Sequence, residues 1–228
     1  MSVELLRVEL GVIWRLDERG RLPGPEDVVI GVAADGMTAA VSGRVPDALA
    51  ARLLDLVSRG VPSPPGHPPD VLARCRALLG DGHAVSGGPC YLIRPPVRFD
   101  VPAEVLGSDD PAHAERVRPL RPANWTPGEW DALLGGREGA PWAMIVEDGQ
   151  VAAVCHSARL TPEGAEAGTW TSPAFRGRGY AAATTAMWAG LLPDIPLFYS
   201  TGADNHSSQR VAGRLGLPAV GWLWKLTP

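Results

Sequence analysis

Apolar positions in this chain fall into short blocks that switch between two periods. Val8, Leu10, Val12, Trp14 and Leu16 alternate and predict a strand, after one or two helical turns over residues 2–9. Residues 28–33 and 37–41 are apolar runs around Ala34-Asp35-Gly36 and predict a hairpin. Leu49, Leu53, Leu54 and Val57 line one helical face behind Pro46-Asp47, and Val71, Leu72, Cys75, Leu78 and Leu79 line another. These predict helices over 46–57 and 69–79, joined by the proline-rich residues 61–69. A short strand over 90–93 stops at Pro95-Pro96. Residues 1–96 thus read as a small N-terminal α/β domain, and residues 97–114 as a connector with a turn at Asp109-Asp110-Pro111.

The remainder, 115–228, reads as a second α/β domain. A strand is expected over 116–120, then a short helix capped by Thr126 with Glu129 three residues on. Residues 142–146 and 151–157 alternate around Asp148-Gly149, a hairpin signal, and a turn at 161–164 leads into a third strand, 165–171. A helix over 177–192 carries Tyr180, Thr184, Met187, Trp188 and Leu191 on one face. A short strand over 197–200, a helix over 206–215 behind Asn205 and a strand over 220–226 complete an order of β-α-β-β-β-α-β-α-β.

Candidate chemistry concentrates where the third strand meets the following helix. Thr169-Trp170-Thr171 is followed by Ser172-Pro173 and then by Arg176-Gly177-Arg178-Gly179-Tyr180-Ala181-Ala182. A glycine turn at a helix start exposes unpaired backbone N–H groups at the positive end of the helix dipole, and glycines let the main chain approach a ligand. With two arginines added, the turn suits a pyrophosphate.

Arg176-x-x-Gly179-x-Ala181 resembles the acyl-CoA-binding signature of the GNAT superfamily of N-acetyltransferases, and Asn205-x-x-Ser208 with Leu215-Gly216-Leu217 resembles its downstream pattern. The resemblance covers about residues 115–228. It implies a mixed, twisted sheet flanked by helices, splayed between the strand before the glycine turn and the next one. It implies that the pantetheine arm of acetyl-CoA pairs with main chain around Thr169, Trp170 and Thr171, that Arg176 to Ala182 hold its phosphates, and that Asn205 and Ser208 flank it. The implied reaction moves an acetyl group to a primary amine, on a small molecule or a peptide, by direct attack in a ternary complex. Such chemistry needs a neutral amine and an oxyanion donor, for which a backbone N–H near Thr171 serves, and the leaving thiolate takes a proton.

Glu166, in the third strand, is the carboxylate best placed to act as base; it also reads as a structural glutamate on the strand face opposite Thr169 and Thr171. If residues 159 and 166 pair, His156 falls opposite Thr169, beside the expected thioester, and it also reads as a satisfied sheet histidine. The family's tyrosine acid, seven residues after the asparagine, is replaced by Ala212; Tyr199, Ser200 or Ser207 are the candidate substitutes, with Tyr199 the first choice, and a proton relay from water is an equal alternative. Trp125, Trp130 and Trp142 are candidates for lining the acceptor site. The missing tyrosine keeps a non-catalytic acyl-CoA-binding module open, and a longer acyl chain or an oxygen acceptor remain alternatives.

Composition narrows the field. A net charge of −4 argues against a nucleic-acid binder. Cys75, Cys90 and Cys155 lack metal-ligand spacing, so no metal and a reduced, cytoplasmic setting are expected. Interleaved Glu4, Arg7, Glu9 and Arg15 suit neither a signal peptide nor a membrane span. A homodimer is compatible with all of this.

Overall fold

A computed structural model describes residues 2–80 and 82–228. The chain divides into two compact units, the first comprising Met1–Leu92, Ser200–His206 and Pro218–Pro228, the second Ile93–Tyr199 and Ser207–Leu217.

Elements are numbered along the chain. The first unit holds α1 (Ser2–Trp14), β1 (Val28–Ala33), β2 (Gly36–Val41), α2 (Asp47–Ser58), α3 (Asp70–Leu79), β3 (Ala84–Ile93) and the last strand, β9 (Ala219–Thr227). Its strands lie in the order β2-β1-β9-β3, every pair antiparallel. Cross-strand pairs such as Val28↔Val41 and Ile30↔Trp224 supply one side of a core that Leu53, Val57, Val71, Leu72 and Cys75 of α2 and α3 complete. The expected strand over residues 8–16 is instead the end of α1. Leu6 and Leu10, one helical turn apart, are both buried, and the carboxylate of Asp35 accepts from the N–H groups of Ser2 and Val3 at the helix start. The local alternation loses to burial of that stripe.

β3 is also longer than expected, running from Ala84 through Gly87-Gly88-Pro89 to Ile93. The glycines are there for close approach: a Cβ at Gly87 would meet the Leu223 carbonyl oxygen at 2.5 Å, and one at Gly88 would overlap the carbonyl oxygen of Thr201. Segment 200–206 is tied to the same strand by bonds from the Thr201 N–H to the Pro89 carbonyl and from the Ala203 N–H to that of Gly87.

The second unit holds β4 (Val105–Gly107), α4 (Pro111–Val117), α5 (Pro127–Leu134), β5 (Trp142–Glu147), β6 (Gln150–Thr161), β7 (Gly164–Thr171), α6 (Tyr180–Gly190), β8 (Leu197–Ser200) and α7 (His206–Arg214). Its strand order is β8-β7-β6-β5-β4. β4 to β7 are antiparallel to their neighbours and β8 is parallel to β7, so the sheet is mixed. The strand expected over 116–120 is instead the end of α4 and a 3-10 turn over Arg118–Leu120. Asp110 caps α4, accepting from the Ala112 N–H at 2.8 Å with Pro111 at the first position, and Pro119 has no N–H to give a ladder. The strand that pairs with β5 lies upstream, at 105–107, within residues 97–114 that the sequence reads as a connector. The strand expected to close this sheet, β9, pairs with β1 and β3.

Thr126 and Glu129 form the reciprocal capping box that starts α5. α5 and α4 cover one sheet face with Trp130, Leu133 and Val117 against Trp142, Met144 and Val154. α6 covers the other, with Tyr180 and Ala183 against Ile145, Ala152 and Ala153. Nearly every α6 residue is buried, so it is apolar all round rather than on one stripe. Among the described residues no helix is long and apolar enough to cross a membrane.

In the first unit, His83 Nε2 lies 2.9 Å from Asp27 Oδ2 and its Nδ1 lies 2.9 Å from the Gly80 carbonyl oxygen. The Asp27 bond is the main cause of the raised pKa of His83. Burial pushes the Asp27 carboxyl up, but bonds from His83 and Arg44 outweigh it and hold it low. A raised folded pKa stabilises fully below the ordinary value of 6.5 and ceases to do so as pH climbs through the folded pKa. The melting temperature should therefore fall as pH rises above about 6.5, and Asp27→Asn should flatten that slope in thermal melts. Parallel slopes for the two proteins would sink the assignment.

Candidate active site

The site begins where two parallel strands stop pairing. β7 and β8 are matched only at Ala165↔Leu197 and Glu166↔Phe198. Beyond that point β7 continues to Thr171, still paired with β6 through Ala167 to Thr171. The other edge of Gly168 to Thr171 faces no strand among the described residues. A strand edge of this kind presents N–H and C=O groups for an extended ligand.

The turn after β7 is made by Gly177 at φ 83° and Gly179 at φ 89°, both left-handed, and α6 starts at Tyr180, three residues later than the sequence predicts. The first intrahelical bond runs from the Ala183 N–H to the Gly179 carbonyl oxygen, which leaves the N–H groups of Tyr180, Ala181 and Ala182 without helical acceptors. Gly179 is needed for space as well as for φ: a Cβ there would lie 2.8 Å from the Phe99 ring. Arg176 is exposed. Arg178 is engaged, its Nη1 donating to Glu147 Oε1 at 2.7 Å while its guanidinium sits 5.0 Å from the Phe175 ring centroid.

Tyr199 is buried on β8, its Oη 3.3 Å from Thr169 Oγ1 on β7. Burial raises its pKa, and hydrogen bonds with Thr169 and Ser208 pull the other way less strongly, so the phenol stays protonated. Ala212, one turn after Ser208 on α7, is fully buried. Asn205 is exposed immediately before α7, its N–H donating to the Gly202 carbonyl; it belongs to the first unit, whereas Ser208 belongs to the second.

Arg159 and Glu166 do pair across the turn, but the register shifts by one residue at Ala158. His156 consequently lies opposite Gly168, and Cys155 lies opposite Thr169, the reverse of the expected arrangement. A bulge of this kind is invisible to strict alternation. His156 therefore shares a sheet face with Trp170 and packs edge-on to Trp125, ring centroids 5.1 Å apart. Gly168 makes room for the imidazole, since a Cβ there would meet Nε2 at 2.6 Å. Desolvation lowers the His156 pKa, so the ring is neutral at neutral pH. Glu166 is buried in β7. Cys155 is buried, and desolvation drives its thiol far above the usual range. Of the three tryptophans, Trp130 and Trp142 are core residues, whereas Trp125 is half-buried beside His156.

The sequence reading missed Phe99, which fills the space a Cβ at Gly179 would need, and Glu147, which holds Arg178. Their only local signal is the Asp148-Gly149 turn that puts Glu147 at a strand end.

Residues 92–218, more than half of the chain, match the family model described as an acetyltransferase (GNAT) domain. No curated protein matches the chain. The fold is similar to that of a GCN5-related N-acetyltransferase from Sphaerobacter thermophilus, at 15% identity and TM-score 0.50, over 92% of this chain and 82% of that one. Other similar structures are a GNAT-family acetyltransferase from Colwellia psychrerythraea (15% identity, 87% and 81% covered, TM-score 0.48) and a GCN5-related N-acetyltransferase from Kribbella flavida (16%, 99% and 93%, 0.47).

The His156 niche is tight enough to test. Gly168→Ala should cost about 1–3 kcal/mol in urea unfolding through overpacking against the imidazole. Gly168→Ala in a His156→Ala background should recover most of that loss, and equal losses in both backgrounds would show that the contact is not the cause.

Proposed function

The chain belongs to the GNAT family of acetyltransferases, and on that premise we propose that it moves an acetyl group from acetyl-CoA to a primary amine by direct attack in a ternary complex. The observation that carries this reading is the unpaired edge of β7 running into a turn with two left-handed glycines and a helix start. An extended amide-bearing arm suits the edge and a pyrophosphate suits the turn. The residues fit such a ligand, because the N–H groups of Tyr180, Ala181 and Ala182 lack helical acceptors and the exposed Arg176 adds charge beside them. When bound, acetyl-CoA supplies an acyl group already activated as a thioester.

The chain's own residues then orient, polarise and move protons. Main chain of Thr169 to Thr171 aligns the arm, with an N–H near Thr171 facing the developing oxyanion. Tyr199, held protonated between Thr169 and Ser208, gives its Oη proton to the departing thiolate sulfur as the C–S bond breaks, and regains one from solvent. The amine must lose a proton, and neutral His156 or Glu166 takes it, directly or through one water. Trp125 beside His156 forms part of the acceptor's surroundings, and Ser208 flanks the arm at the start of α7. Acceptors are small-molecule or peptide amines in the cytoplasm. No metal takes part in this scheme.

A second reading, a non-catalytic acyl-CoA-binding module, is favoured by one observation: the position of the family's tyrosine is the buried Ala212.

Calorimetric titration with acetyl-CoA should give roughly micromolar affinity, lost in an Arg176→Glu, Gly179→Asp double variant. Absence of binding to the unmodified protein would remove the proposal. With a responsive amine, Tyr199→Phe should lower kcat by about 100-fold or more at unchanged KM. Unaltered turnover would return Tyr199 to a packing role. If His156 is the base, the acid limb of kcat/KM lies below its ordinary pKa of 6.5 and disappears in His156→Ala. A limb that survives points to Glu166 instead.

A further inference from the structure

Glu147 ends β5, just before Asp148 and Gly149, whose φ angles of 51° and 69° turn the chain into β6. Its two carboxylate oxygens go to two different residues of the glycine turn. Oε1 accepts from Arg178 Nη1 at 2.7 Å, and Oε2 accepts from Tyr180 Oη at 2.6 Å. Arg178 lies between the two left-handed glycines, and Tyr180 is the first residue of α6. Below them Phe175 is buried in the α6 cluster and carries the guanidinium on its ring.

A loop with two glycines at positive φ has many conformations to lose when a ligand orders it. A single carboxylate, reaching it from a strand end, removes much of that freedom beforehand. It also neutralises Arg178 locally, whereas Arg176, two residues earlier, stays exposed. The side chain of Arg178 therefore acts as a tether and leaves the anion to backbone N–H groups and Arg176. Resting on the acyl-CoA reading above, we propose that Glu147 is a positioning residue for the cofactor cradle: it pins Arg178 and Tyr180 so that the amides of residues 177–182 are preset for the pyrophosphate, with Arg176 as the cation that meets it.

Titration with acetyl-CoA, paired with hydrogen exchange of the amides of 177–182 in the free protein, tests this. Glu147→Ala should weaken binding by about tenfold, and Arg178→Ala and Tyr180→Phe by about threefold each, with faster exchange confined to the turn. Glu147→Gln, which keeps the volume and one acceptor oxygen, should recover part of the loss. Raising the salt concentration should weaken the Arg176→Ala protein less than the wild type, while Arg178→Ala keeps the wild-type salt dependence. If Glu147→Ala fails to fold, Glu147→Gln is judged by the same readouts. Wild-type binding with unaffected Glu147 variants, or Arg178→Ala behaving like Arg176→Ala in salt, overturns the proposal alone. Failure of the wild type to bind acetyl-CoA overturns the acyl-CoA reading together with it.

Discussion

Backbone pairing between β7 and β8 is limited to Ala165↔Leu197 and Glu166↔Phe198, and the candidate site lies where that pairing ends. A backbone edge inside a protein must give its hydrogen bonds to something. Here β6 pairs with one edge of β7 over its whole length, and the other edge of Gly168 to Thr171 pairs with no strand among the described residues. The turn that follows is an extension of the same demand, since the first N–H groups of α6 also lack acceptors within the helix. Between strand edge and helix start, the N–H groups of Ser172, Phe175 and Arg176 donate to the carbonyl oxygens of Ala152, Ser172 and Pro173, so the turn is itself held by backbone bonds.

Around this turn the packing is rigid. α6 is buried on all sides, Gly179 has no room for a Cβ beside Phe99, and Glu147 ties the turn back to the β5–β6 hairpin. The charges in the turn are unequal as a result. Arg178 is committed to an ion pair about half exposed to solvent, whose worth lies more in geometry than in energy, and Arg176 carries the free charge. On β8, the phenol of Tyr199 sits between hydroxyls of β7 and α7 and is kept protonated by burial. The half-buried imidazole of His156 lies on the sheet face that carries Trp170 and is kept neutral by desolvation.

Much of this was legible beforehand. The hairpin at Asp148-Gly149, the capping box of Thr126 and Glu129, the helices behind Pro46 and Pro69, and the glycine turn before α6 are all set by local backbone chemistry, which a sequence states directly. The residues of the turn also carry the family resemblance, and the match over residues 92–218 agrees with it. Where the reading failed, a distant contact outweighed a local preference. α1 absorbed an alternating stretch because Leu6 and Leu10 bury one helical turn apart, and β3 ran through Gly87-Gly88-Pro89 because those glycines admit close backbone neighbours.

Sequence alone determined the order and kind of most elements and the chemistry of the turn between β7 and α6, because glycine conformations, caps and apolar periods act over a few residues. Only the tertiary structure decided that β9 pairs with β1 and β3, that one extra residue at Ala158 moves His156 from opposite Thr169 to opposite Gly168, and that Glu147 claims Arg178 and Tyr180. Each of these joins residues far apart in the chain or hangs on a single register step, and neither periodicity nor spacing encodes either one.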